Sequence, residues 1–253
     1  MRRVRFFYQG RVHLAVLEDE YAVTTGGLRI PAGEIETWLP PIQPNHMYVA
    51  ALNYKGIFED LELEKPITEP VFFQKFNTTA VGHSAAVFCP PAASDGLQCE
   101  AELLAVIGRP CRHVPPEQAL EYVSGYLIGN DVTIPHLITR QHARPPFRAK
   151  QHDTFGPMGP WFVDRQDLPD PHNLTIKTYI NDQLLQSSNT CEMVYSIPEL
   201  IASLSTYLTL CPGDIIWSGT PRGCVLAKPG DIMAVEIQGL GRLENKVTGG
   251  DPP

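Results

Sequence analysis

A chain of 253 residues, 43% hydrophobic and 19% charged, has enough apolar material for one large folded unit, or one with a small appendage, and this excludes global disorder. A formal net charge of −8 argues against a nucleic-acid platform and an anionic membrane surface, but leaves room for a small anion drawn to a local basic cluster. The 24 prolines and 20 glycines punctuate many short elements, so the expected fold class is α+β, mostly β.

In chain order, the opening MRRVRFFYQGRVHLAV is basic but has no sustained apolar run. It reads as the first strand of the fold rather than a leader, and nothing later approaches the length of a membrane-spanning helix. RVRFFYQ, RVHLAVLE and EYAVTT read as strands of a small N-terminal β-subdomain over 1–45, closed by the proline-rich LPPIQP linker at Leu39–Pro44. The larger unit, 46–253, begins with the apolar strands MYVAALNY and PVFFQKF. QCEAELLAVIG then predicts a buried strand at Leu103–Ile107, entered through Glu100 and Glu102. PPEQALEYVSGY opens as a short helix. GYLIGNDV is a further apolar strand with Asp131 at its end. TIKTYINDQLLQSS predicts a hairpin turning at Asn181-Asp182. SIPELIASLSTYL predicts a helix with a Ser196/Glu199 capping box and Ile197, Leu200, Ile201, Leu204 and Leu208 on one face. Two PGD turns, at 212–214 and 229–231, lead into the strands IIWSG and IMAVEI. The six cysteines are scattered without a C-x-x-C pair, which fits reduced thiols and a cytoplasmic location.

Alternation along a strand puts Glu100 and Glu102 on one face, their attachment points about 6–7 Å apart. If the strand ending at Asp131 lies beside theirs, three carboxylates converge. Like charges so placed raise one another's pKa unless a cation sits among them. Oxygen-only ligation suits a hard ion, Mg²⁺ with Mn²⁺ or Ca²⁺ as alternatives, rather than zinc. On spacing alone the plainer reading, with both glutamates on a solvent face and Asp131 in a turn, is favoured. The next segment, TIPHLITRQHARPPFRAKQHDTFGP, holds Arg140, Arg144, Arg148 and Lys150 with no acid before Asp153. It is either a collector of carboxylate substrates or a solvated basic loop. Arginine pairs bidentately with a carboxylate, whereas lysine serves as a point charge or proton donor. SGTPRG, from Ser218 to Gly223, is a tight turn able to hold an anion or simply to turn the chain; it is not a phosphate loop.

Taken in order, ALNYKG, CEAELLAVIG, GYLIGNDVT, RAKQHD, LPDPHNLTIKTYIN, SIPELIASLS and SGTPRG resemble the fumarylacetoacetate hydrolase superfamily over about residues 48–247. The resemblance implies a mixed β-roll, assembled as a homodimer or paired with a homologous subunit. It implies metal ligation by Glu100, Glu102 and Asp131, a catalytic lysine at Lys150, and substrate contacts from Thr190 and Thr220. Arg140, Arg144 and Arg148 are assigned to the distal carboxylates of the substrate. One departure matters. Hydrolytic members carry N-Y-x-x-H-x-x-E, whereas this chain reads NYKGIFED, with Ile57 at the histidine position and Asp60 at that of the acid. Isoleucine takes no proton, so water activation would need another base, such as His83 or His152. The resemblance therefore points to the members that decarboxylate or isomerise unsaturated 2-oxo di- and tricarboxylic acids in aromatic catabolism. The alternatives are a C–C hydrolase of acylpyruvate-like diketones and a non-catalytic metal-binding paralogue.

Overall fold

The computed structural model describes residues 1–57, 68–138 and 146–252. Two sheets carry most of the chain. In the larger, consecutive hydrogen-bonded neighbours run Arg29–Pro31, Tyr21–Thr24, Arg11–Glu18, Arg2–Tyr8, Gly156–Asp164, Val123–Asn130, Ala101–Ile107, Ile215–Trp217, Met47–Ala51 and Val71–Lys75. All these pairings are antiparallel except that between Ile215–Trp217 and Met47–Ala51. The second sheet is ordered Gln183–Asn189, Thr175–Ile180, Ile232–Ile237, Gly241–Gly249 and Val87–Cys89.

The strand Ala101–Ile107 is buried at every position, as a continuous apolar run requires when both faces are covered. Leu103, Ala105 and Ile107 face the main core, where they join Ile128, Ile176, Val235 and Leu243. Leu104 and Val106 face the other way, packing with Val49, Leu127, Met158 and Trp217. The helix Ile197–Tyr207 closes the main core with Ile197, Leu200, Ile201 and Leu204, and its capping box forms with Ser196 and Glu199. Leu208, the C-cap, is half-buried against the same core, and Ser205 is buried as well. The hairpin turns at Asn181 and Asp182, both at positive φ (50° and 63°), as a two-residue type I′ turn demands.

PPEQALEYVSGY opens as the short helix expected. Its helix is a single turn, Pro116–Ala119, followed by a 3₁₀ turn at Leu120–Tyr122. β-Branched Val123 then enters the sheet opposite Ile107, across an irregular register. The N-terminal strands have their own small core of Val4, Phe6, Ala15, Ala22 and Ile30. They also extend the large sheet, through Arg2 and Arg3 paired with Val163 and Phe162. Among the described residues no helix is long and apolar enough to cross a membrane.

Candidate metal centre and active site

The sheet register builds the site. Ala101 pairs with Asn130, so the start of one strand meets the end of its neighbour, and the residues just outside the ladder, Glu100 and Asp131, come together. Asp131 N–H donates to the Glu100 carbonyl at 3.0 Å, and Glu100 N–H donates to Asn130 Oδ1 at 2.9 Å. Glu102, on the face of Leu104, completes the group. The three carboxylates are buried, and one oxygen from each lies within 4.8 Å of the others.

Two lysines enter this cluster. Lys150 ends the short helix Phe147–Lys150 and is 5% exposed. Its Nζ donates to Glu100 Oε2 at 2.7 Å, Asp131 Oδ2 at 2.6 Å and Thr133 Oγ1 at 2.6 Å, which uses all three ammonium hydrogens. Lys75, the last residue of Val71–Lys75, is fully buried. Its Nζ donates to Asp131 Oδ1 and to the Lys150 carbonyl, each at 2.7 Å. Three carboxylates and two ammonium groups leave a formal charge of −1 in a place that water barely reaches.

The ionisation of each group follows from that geometry. Burial, and then the charge of Asp131, push the Glu102 carboxyl well above the usual carboxylate range, and Lys150 offsets only part of this. Glu100 is also raised by burial, against the pull of Lys150. For Asp131 the penalty of burial is outweighed by Lys150 and Lys75, and its carboxyl falls below the usual range. Burial opposes the Lys150 charge too, yet Asp131 and Glu100 hold its ammonium above the ordinary lysine range. Lys75 is lowered by burial, against the attraction of Asp131.

Turns from elsewhere hold Glu102 in place. Gly219 N–H donates to Glu102 Oε2 at 2.8 Å. Gly219 has φ +83°, and a Cβ there would lie 2.8 Å from the Ala50 carbonyl, so only glycine brings this N–H to the carboxylate. Asn53 ties the neighbouring turns together, donating from Nδ2 to the Ser218 and Tyr195 carbonyls and accepting Tyr195 N–H. The Tyr54 hydroxyl is buried without a hydrogen-bond partner of ordinary geometry. Burial and then the Glu102 charge push it above the usual tyrosine range, a shift that the Ser218 hydroxyl eases only in part.

The donor set fits a hard divalent cation. It is all oxygen, it is buried, and it stays negative even with both lysines counted; Glu100, Glu102 and Asp131 are the residues that would hold the ion.

The remaining expected site residues lie as follows. Thr220 follows Gly219 in the supporting turn, with its hydroxyl 3.9 Å from Cys224 Sγ. Thr190 is fully buried, its hydroxyl donating to the Pro171 carbonyl at 2.8 Å and accepting Leu174 N–H at 2.9 Å. Arg148 is exposed and lines a cavity of about 190 Å³ with Ala92, Leu137, Phe147, Gln151 and His152. Arg140, Arg144 and Asp60 lie outside the described residues. Ile57 is half-buried and packs on the main core. His83 accepts Glu244 N–H and sets its ring edge-on to Trp38. The His152 Nε2 lies 2.9 Å from the Arg148 carbonyl. Sequence reasoning missed Lys75. The available signal was a charge at the end of the apolar run VFFQK, the same pattern that singled out Asp131.

Residues 46–248 match the family described as fumarylacetoacetate (FAA) hydrolase C-terminal. Over 248 residues the chain is 37% identical to the 4-hydroxyphenylacetate degradation bifunctional isomerase/decarboxylase of Salmonella dublin. That match covers 97% of this chain and 55% of the relative, so the chain spans about half the relative's length. The structure resembles a 5-carboxymethyl-2-hydroxymuconate delta-isomerase from Mycobacterium smegmatis, with TM-score 0.85, 32% identity and complete coverage of both chains. It also resembles the maleylpyruvate hydrolase of Sphingobium sp. SYK-6 in complex with manganese (II) ion and pyruvate. There the TM-score is 0.82 and the identity 27%, over 98% of this chain and 100% of the other.

Proposed function

The chain belongs to the fumarylacetoacetate hydrolase family, and from that premise we propose that it is a divalent-metal-dependent decarboxylase or isomerase of unsaturated 2-oxo di- or tricarboxylic acids. The observation that carries this reading is a buried carboxylate triad with a charged lysine in its midst, combined with Ile57 where hydrolytic relatives place a histidine. The likeness to an isomerase/decarboxylase and to a delta-isomerase supports it.

A cation held by Glu100, Glu102 and Asp131, Mg²⁺ or Mn²⁺ by donor chemistry, would supply Lewis-acid stabilisation to the 1-carboxylate and 2-oxo oxygens of the substrate. The chain's own residues do the rest. Gly219 N–H holds Glu102 and Lys75 holds Asp131, so the carboxylates are oriented before the ligand arrives. Lys150 keeps its proton and would stabilise the enolate left by loss of CO₂, or by loss to solvent of the hydroxyl proton of a 2-hydroxydienoate. It would then protonate the enolate carbon, completing either decarboxylation or a double-bond shift. Thr220 would meet the 2-oxo acid end. Thr190 would act through the loop it braces, and Arg148 would attract distal carboxylates by its charge.

Hydrolysis is the second reading, favoured by the likeness to maleylpyruvate hydrolase. It requires a base for water, and the contacts found for His83 and His152 lie with Glu244, Trp38, Arg148 and Phe155 rather than with the carboxylates. A panel of 2-oxo-enoate di- and tricarboxylates incubated with Mg²⁺ separates the two. CO₂ or a shifted double bond with an intact carbon chain supports the proposal. Release of pyruvate or a second carboxylic acid by C–C hydrolysis overturns it.

A further inference from the structure

We propose that Lys75 is a positioning residue that sets the charge of the metal centre as well as its geometry; this rests on the function proposed above. Lys75 is fully buried and spends its ammonium on two groups of the site, Asp131 Oδ1 and the Lys150 carbonyl. A buried lysine is costly, and a neutral residue could brace the same carbonyl more cheaply. What only a cation supplies here is charge. With Lys75 protonated and all three carboxylates ionised, the form that holds an ion, the formal charge is −1, so a divalent ion brings it to +1, a net attraction for a substrate that arrives as an anion. Without it the cluster carries −2, and the metal-loaded centre is neutral. Lys75 therefore trades metal affinity for substrate affinity. It also aims Asp131: with Oδ1 tied to Lys75, Oδ2 turns toward Glu100 and Lys150.

The charge of Lys75 acts with opposite signs on the two ligands, and one variant reads both. In Lys75→Met the metal should bind more tightly and the anion more weakly. A residue that merely supported the fold would weaken both. Mn²⁺ binding is measured by electron paramagnetic resonance on the full chain stripped of metal, and oxalate binding to the Mn²⁺-loaded protein by calorimetry. The expected result is Mn²⁺ binding about tenfold tighter than in wild type and oxalate binding about tenfold weaker, since one uncompensated charge in a poorly screened site is worth at least that factor. Lys75→Arg should keep both near wild type. Weaker Mn²⁺ binding in Lys75→Met, or unchanged oxalate binding, overturns the proposal. Lys75→Gln, which retains a donor for the Lys150 carbonyl, carries the same test should the methionine variant not fold. If both neutral variants fail to fold while Lys75→Arg folds, Lys75 is a structural residue and the proposal falls. Absence of Mn²⁺ binding in the wild type would instead sink the metal-dependent function itself, so the two failures are distinguishable.

Discussion

Replacing Lys150 with methionine removes one ammonium and little volume. In the wild type that ammonium satisfies Glu100 Oε2, Asp131 Oδ2 and Thr133 Oγ1 at 2.6–2.7 Å, in surroundings where it is only 5% exposed. The variant leaves two buried carboxylates without that donor and takes the formal charge of the cluster from −1 to −2. Breaking a buried ion pair from one side costs about 3–5 kcal/mol, and proton uptake by Glu100 would bring Lys150→Met toward the lower figure. The assay is urea unfolding of wild type and variant at one protein concentration, first in excess chelator and then with Mg²⁺. A loss of about 3 kcal/mol or more is expected in chelator. Ligand linkage then stabilises the wild type by about 2.7 kcal/mol at a Mg²⁺ concentration a hundredfold above its Kd. The variant should gain more than the wild type, because its cluster is the more negative, so the gap narrows when metal is added. A loss below about 1 kcal/mol in chelator, or a gap that widens with metal, would refute the electrostatic picture of the site.

Glu102→Gln keeps the shape and the acceptor for Gly219 N–H but removes the charge that burial and Asp131 penalise. Its thermal midpoint in chelator should equal or exceed that of wild type, while its Mn²⁺ affinity drops by about 30-fold or more, as befits the loss of a charged ligand. Gly219→Ala places a Cβ 2.8 Å from the Ala50 carbonyl at φ +83°; about 1–3 kcal/mol of stability and most of the metal-dependent turnover should be lost together, as unfolding and rate assays would show. His172 has its usual pKa lowered, by burial first and against the pull of Asp170, and its Nε2 accepts Ile197 N–H at the start of the long helix. A depressed histidine stabilises the fold above its unfolded value near 6.5 and ceases to do so as pH falls through the folded value. The stability of the wild type should therefore decline from pH 7 toward pH 5 more steeply than that of His172→Gln; parallel curves would remove His172 from the explanation.

Elements specified by local chemistry were legible in the sequence. The alternating RVHLAVLE is the strand Arg11–Glu18, and IMAVEI is the strand Ile232–Ile237. The capping box and the Asn181-Asp182 turn are local too, and each forms where its residues predict. Properties that depend on pairing between distant segments were not legible in this way. Three carboxylates meet because Ala101 pairs with Asn130 rather than with a residue two positions away, and a spacing of 29 residues between Glu102 and Asp131 does not state that register. Lys75 lies 56 residues before Asp131; its place at the end of an apolar run marks it as a candidate, but not as the partner of Asp131. The N-terminal strands read as a separate unit because their apolar residues make their own core, and their join to the large sheet runs through arginines, which carry no apolar signal. Thr190 illustrates a different limit. A hydroxyl just past the end of a strand is equally suited to a ligand or to the backbone, and here it bonds the Pro171 carbonyl and Leu174 N–H.

Enolate formation at the carboxylate–lysine centre is tested most directly by following deuterium uptake at C3 of a 2-oxo dicarboxylate in D₂O by proton NMR, with and without Mg²⁺. Uptake is expected with the wild type and metal, with the carbon chain intact, and it should be lost in chelator and in Glu102→Gln and strongly slowed in Lys150→Met. Metal-independent uptake, no uptake with Mg²⁺ or Mn²⁺ bound, or full activity in Glu102→Gln would contradict it.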